Sequence, residues 1–226
     1  MIHLSVETST EVISLALFEE DRVLSELSLR PSVGASESLA PALDWLLGSR
    51  SLAAQSLDRI ACSAGPGSYT SLRAGFAFVR GIEASLGIPV VMVSPFDTLA
   101  RQWSMLGDPA LLTVLNARQG QISAVFYIKD PESGFYRSPP GPMPPVLRGE
   151  APSDPGEIAA CLPSFPVRIV GPGSPLLLSI LPPPERKNMR ETDWSGPRAV
   201  FQGLVAWERR FEPLVPPRLV YGRSPV

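Results

Sequence analysis

Residues 57–63 read Leu57-Asp-Arg-Ile-Ala-Cys-Ser63, and residues 64–70 read Ala64-Gly-Pro-Gly-Ser-Tyr-Thr70. The first stretch is short and largely apolar, the pattern of a buried strand. The second ends it abruptly. Two glycines and a proline set a sharp turn, and Ser68 and Thr70 are able to cap a following helix. That helix is expected from about Ser71 to Leu86, stopped by Gly87 and Pro89. Val90 to Val93 follows as a wholly apolar strand, the kind buried on both faces of a parallel sheet.

Upstream, Ile2 to Glu7 alternates apolar and polar residues, which predicts a strand with one buried face. Val12 to Phe18 and Val23 to Leu29 continue as strands, close enough for an antiparallel meander. Leu39, Leu43, Leu46 and Leu47 then recur at helical spacing after Ser36, Glu37 and Ser38. Pro41 fits this helix without a kink only in its first turn. The order β-β-β-α-β-α-β is an antiparallel start that becomes parallel through helical crossovers. This is an α/β layout of the ribonuclease-H-like or actin-like (ASKHA) kind.

Downstream, residues 95–106 read as helix, and Ala110–Asn116 and Gln121–Ile128 as a hairpin. Pro131 to Pro184 holds 15 prolines, so short strands and loops with few helices are expected there. Val167–Val170 is one such strand. Pro197–Phe211 reads as a helix with Val200, Leu204, Trp207 and Phe211 on one face, and the tail from Pro213 as extended. No internal repeat is strong enough to argue from. The division expected is a lobe over residues 1–98 and a smaller Pro-rich lobe with the tail over 99–226.

Composition narrows the chemistry. The 226 residues, 44% apolar and 19% charged, can bury a real core, and a net charge of −2 argues against a strongly basic nucleic-acid binder. His3 is the only histidine, which removes Cys-His, Ser-His-Asp and two-His metal constellations. Cys62 and Cys161 cannot form a disulfide framework. The longest apolar stretch, Ala74–Val93, is broken by Arg80, Glu83 and Pro89, so no membrane span is expected. Acidic Glu7 sits where a signal peptide would be apolar, and a cytoplasmic location is the expectation.

Two segments carry candidate chemistry. The loop with Gly65, Gly67, Ser68 and Thr70 precedes a helix and can either hold an anion or serve only as a turn. Glu7, Thr8, Ser9 and Thr10 lie between the first two strands, where an acid of an actin-like enzyme approaches nucleotide phosphates through a metal; the alternative is a hydroxyl-rich hairpin turn. The helix at 71–86 shows a small-residue stripe of Ala74, Ala77, Gly81 and Ala84, and a bulkier one of Leu72, Phe76, Val79 and Leu86. Two stripes imply burial on both sides, within this chain or against a partner helix. Arg73, Arg80, Arg101 and Arg118 are readable as solvated or paired, and Trp45, Trp103, Trp194 and Trp207 are too dispersed for a base-stacking platform.

Together the motifs resemble the TsaB (YeaZ-like) family. Val6-Glu-Thr-Ser-Thr10 resembles its Asp-Thr-Ser/Ala-Thr opening. Gly65-Pro-Gly-Ser-Tyr-Thr-Ser-Leu-Arg73 is similar to its Gly-Pro-Gly-Ser-Phe/Tyr-Thr-Gly-Val/Leu-Arg signature. Ser36-Glu-Ser-Leu-Ala-Pro41 looks like its first helix, Asn116-Ala-Arg-Gln-Gly-Gln-Ile122 like its second-lobe hairpin, and Pro217-Arg-Leu-Val-Tyr-Gly-Arg223 faintly like its tail. The likeness is specific over residues 1–122. Glu7, Ala35, Ser71 and Asn116 depart from the family's Asp, His, Gly and Asp.

The resemblance implies a two-lobed actin-like fold and a role in making the tRNA base threonylcarbamoyladenosine. In that system TsaB is a non-catalytic partner of TsaD, the metal-dependent transferase, with TsaE as an ATPase. It implies no cofactor, tRNA contact that is indirect or weak, and homodimerisation of the chain alone. Leu39, Leu43, Leu46, Ser71, Ala74, Ala77, Phe78 and Gly81 are then expected at a helix interface with the TsaD-like partner. Two alternatives stand beside it: a nucleotide-binding ATPase or kinase-like enzyme of the actin fold, and a metallopeptidase-like relative.

Overall fold

A computed structural model describes residues 1–117, 119–149, 151–182, 189–191 and 196–221. Arg118, Trp194 and Arg223, named above, lie outside the described residues. The chain divides into two compact units, Met1–Thr98 with Pro197–Tyr221, and Leu99–Gly196. The structure thus differs from a simple break at residue 98: the C-terminal helix and tail return to the first unit.

The first unit is built on strands β1 (Ile2–Glu7), β2 (Ile13–Glu19), β3 (Arg22–Leu29), β4 (Arg59–Ser63) and β5 (Val90–Val93). Their order in the sheet is β3-β2-β1-β4-β5. β1 pairs antiparallel with β2 and β2 with β3, whereas β1–β4 and β4–β5 are parallel. Helices α1 (Ala35–Gly48) and α2 (Tyr69–Leu86) supply the crossovers. They cover one face, where Leu4, Val6, Leu15, Leu17 and Ile60 pack with Leu39, Leu43, Leu46 and Val79. α3 (Pro95–Gln102) follows β5 and is shorter than the 95–106 span expected.

β1 departs from the one-faced strand expected of its alternation: His3 to Glu7 are all buried. The polar side of β1 is covered by a helix from the far end of the chain, named α6 below. Pro41 is the seventh residue of α1, not in the first turn. It faces solvent, where the carbonyl it leaves unbonded can be hydrated. The N-cap of α1 is Gly34, and Ser36 and Ser38 do not cap it.

The second unit holds β6 (Ala110–Asn116), β7 (Ile122–Lys129), β8 (Tyr136–Arg137), β9 (Val167–Val170) and β10 (Met189–Glu191), with α4 (Pro155–Ala160) and α5 (Ser174–Ile180). The sheet order is β10-β9-β6-β7-β8. β6–β7 and β7–β8 are antiparallel, while β6–β9 and β9–β10 are parallel. This is the connectivity of the first sheet over again: three antiparallel strands, then two parallel ones reached through helices. The fold is therefore α/β with an actin-like duplication of one topology, invisible as a sequence repeat because β8 and β10 are two and three residues long. A part-buried Arg168–Asp108 pair, 2.5 Å apart, ties β9 to the segment before β6.

The last helix, α6 (Ala199–Glu208), packs on the first sheet with Ala199, Gln202, Gly203, Val205 and Ala206 buried. The face predicted from Val200, Leu204, Trp207 and Phe211 is seated only in part: Val200 and Leu204 pack beside Phe18 and Trp207 stacks on His3 at 5.9 Å, whereas Phe211 is 84% exposed. Small residues win because the helix lies close to the strands. A Cβ on Gly203 would fall 2.3 Å from the ring of Phe18, itself stacked on His3 at 4.6 Å. Gly203→Val is expected to lower stability by about 1–3 kcal/mol through overpacking, read as a fall in the urea midpoint with an unchanged m-value.

Candidate functional site

The β1–β2 loop and the β4–α2 loop meet at the C-terminal ends of β1 and β4. Glu7, the last residue of β1, has no exposed surface. One carboxylate oxygen accepts the Ser9 backbone N–H at 2.7 Å, and the other accepts from Nε2 of Gln202 at 3.1 Å. The same Nε2 lies 3.1 Å from Oγ of Ser63, and Oε1 of Gln202 accepts the Ser5 hydroxyl at 2.7 Å. Ser63 Oγ also accepts the Thr8 backbone N–H at 3.1 Å. Burial pushes the Glu7 carboxyl above its usual range, against the opposing pull of its bonds to Ser9 and Ser63. Burial also raises the thiol of neighbouring Cys62. Burial and the charge of Arg59 pull His3 down to about 4, so this histidine is neutral near pH 7.

The two loops bond to each other. The Ser68 backbone N–H donates to the Ser9 carbonyl at 2.7 Å. Gly67 is needed because a Cβ there would sit 2.2 Å from that carbonyl oxygen. Gly75, the seventh residue of α2, presses in the same way on Thr8. On the other side of the turn, the tail crosses the loop: the Val220 N–H donates to the Ala64 carbonyl at 2.7 Å, and Tyr221 lies against Tyr69 at 5.4 Å. A Cβ on Gly65 would meet the Val220 carbonyl at 2.4 Å.

The structure thus brings Glu7, Thr8, Ser9, Gly65, Gly67 and Ser68 together, with Thr10 half-buried and Thr70 exposed beside them. The actin-like layout implies a metal-bridged nucleotide at such loops, and the residues present do not fit one. Glu7 points into the sheet–helix layer with both oxygens occupied, and the first N–H before α2 is already bonded. Among the described residues, no three His, Cys, Asp or Glu side chains are grouped to hold a metal ion. No described helix is long and apolar enough to cross a membrane.

The expected interface residues separate into two sets. Leu39, Leu43 and Leu46 are buried in the chain's own core, because the leucine stripe of α1 is the one that seats the helix on the sheet. Ser71, Ala74 and Phe78 are half-buried, and Ala77 and Gly81 are exposed. Only Leu72, Gly75 and Val79 of α2 are buried; of its small-residue stripe Ala74 packs against the core, while Ala77, Gly81 and Ala84 are not covered within the first unit. Trp45 projects from α1 with 57% of its surface exposed. Sequence reasoning missed Gln202: its only signal was a polar residue inside an otherwise apolar helix, and its partners lie 139 to 197 positions away.

Comparison with known proteins agrees with this geometry. A family model described as TsaD, tRNA N6-adenosine threonylcarbamoyltransferase, matches residues 32–133. The Bacillus subtilis tRNA threonylcarbamoyladenosine biosynthesis protein TsaB is 33% identical over 56% of this chain and 55% of its own length. The Escherichia coli protein of the same name is 27% identical over 59% of this chain and 57% of its own. The matched stretch thus spans little more than half of these curated relatives. A crystal structure of a Pseudomonas aeruginosa protein, described as uncharacterised and similar to peptidase YeaZ, superposes with a TM-score of 0.76. It is 24% identical and the match covers 98% of this chain and 99% of that one, which shows the shared fold.

Glu7 gives the site a pH signature. Its folded pKa lies above the usual 4.5, so the native state binds more protons than the unfolded chain between the two values. Stability contributed by the neutral acid is therefore lost as pH rises through that window. Glu7→Gln, which cannot ionise, is expected to gain stability relative to the parent over the same rise, measured by urea midpoints at a series of pH values. A pH-independent difference would contradict a buried ionising carboxyl. In its fold, its loop signature and its relatives, the chain is similar to the proteins named TsaB and YeaZ.

Proposed function

We propose that this protein acts in tRNA threonylcarbamoyladenosine biosynthesis as a non-catalytic subunit that binds and supports a TsaD-like transferase. The observation that carries this reading is the outer face of α2. Ala77, Gly81 and Ala84 are exposed there, and a Cβ built on Gly81 has nothing within 4 Å. Trp45 stands exposed on α1, and α1 packs with α2 over the same sheet face. Small side chains let a second helix approach closely, and an exposed aromatic residue is a common interface anchor.

The inward bonding of Glu7 supports a non-catalytic role and weighs against the nucleotide-hydrolysing alternative. On this reading a TsaE-like ATPase joins through the transferase, tRNA contact is indirect, and the free chain pairs with itself through the same helices in the cytoplasm.

Ala77→Arg places a long charged side chain on this face without touching the core. The variant is expected to keep its Tm within about 2 °C, since exposed substitutions usually change stability by less than about 0.5 kcal/mol. It should lose co-purification with the transferase from the same genome and most of the tRNA modification reconstituted in vitro. Full complex formation by a folded variant would refute the interface. In calorimetry, ATP with Mg²⁺ at millimolar concentration should give no binding heat; saturable binding would restore the nucleotide-binding alternative.

A further inference from the structure

At the edge of the first sheet opposite the two loops, where β1, β4 and β5 begin, lies an open groove of about 410 Å³. Met1, Pro89, Phe211 and Leu214 give it apolar walls, and Arg59 and Arg210 also line it. Arg59 opens β4 and is only 8% exposed. Its Nε is buried with no hydrogen-bond partner, and among the described residues its guanidinium forms no ion pair. Arginine is seldom this buried unless it is paired, and a desolvated Nε–H without an acceptor is unfavourable.

Arg210 is held differently. It donates to the Trp207 carbonyl at 2.9 Å and lies over the Trp207 and Phe211 rings at 4.3 and 4.4 Å. Two acids also line the groove. Asp58 accepts the Ile2 backbone N–H at 2.7 Å, and Glu212 is exposed on the rim. His3, opposite Arg59 in the strand register, is neutral and cannot balance it.

We propose that this groove binds a small organic carboxylate with an apolar body, held by the Arg59 guanidinium. The planar fork of arginine matches a carboxylate. The apolar walls accept the body of the ligand. Asp58 and Glu212 would repel a second negative charge, which selects a monoanion over inorganic phosphate. The site is separate from the helix face above and does not depend on the role proposed for it.

The test uses the full chain with 4-phenylbutyrate, its neutral amide and inorganic phosphate as probes, read by thermal denaturation and calorimetry. The carboxylate alone is expected to raise Tm saturably, since a ligand that binds only the native state stabilises it. Arg59→Met keeps an apolar stem and removes the charge. It should weaken binding roughly ten- to a hundredfold, the size of a charge-assisted hydrogen bond, with an unliganded Tm no lower than the parent's. Arg59→Lys keeps the charge without the fork and should also weaken binding at unchanged Tm. No binding up to tens of millimolar, equal response to the amide or to phosphate, or undiminished affinity in a folded Arg59 variant would each overturn the proposal.

Discussion

A single buried carboxylate organises the first unit. Glu7 ends a central strand with no exposed surface, and an unpaired ion there would be strongly unfavourable. Gln202 answers it with both ends of one amide, giving its N–H donors to Glu7 and Ser63 and taking the Ser5 hydroxyl. Those partners sit on β1 and β4, whereas Gln202 arrives on α6. The polar face of the sheet is therefore closed only when the C-terminal helix returns, and this is why the unit is discontinuous in sequence.

The same arrangement sets what the loops can do. In a phosphate-binding loop, backbone N–H groups and an acid are left pointing at the ligand. Here the Ser68 N–H is bonded to Ser9, Glu7 is bonded inward, and the tail crosses the turn through Val220 and Ala64. Glycines are required at 65, 67 and 75 for a reason other than a ligand. At each, a neighbouring residue of the same unit occupies the space of a side chain.

Local pattern was enough for much of this. The strands and the two crossover helices of the first unit follow directly from alternation in Ile2–Glu7, the leucine spacing of α1 and the Gly65–Thr70 punctuation. Those signals are short-range, and each element is long enough to show its period. What was not legible depends on distant pairing. Polar residues at 3, 5 and 7 read as a solvent face because the helix that covers them begins near residue 199. The second sheet was hidden because its edge strands are too short to show alternation and lie among prolines. For the candidate site, turn-forming and hydroxyl residues made both loops visible in the sequence, but the direction in which Glu7 points is a tertiary fact. The leucines of α1 were assigned outward for a similar reason. Periodicity identifies an apolar stripe without saying whether sheet or partner lies against it.

The exposed face of α2 can be weighed against the buried one in energetic terms. Apolar burial is worth ~25 cal/mol per Å², so most large aliphatic side chains of both helices are drawn to the sheet, leaving Ala77, Gly81 and Ala84 to face water. An outer face of alanine and glycine exposes little apolar area and costs the free chain little. The same face sets no minimum distance for an approaching helix, because interaxial separation is governed by the side chains at the contact. A leucine-rich outer face would bind partners more indiscriminately and favour aggregation of the free chain. A small-residue face makes affinity depend on shape, with only a complementary helix recovering enough contact to hold. If the proposed interface forms, Trp45, the one large aromatic exposed on α1, is the side chain best placed to add affinity to that shape selection.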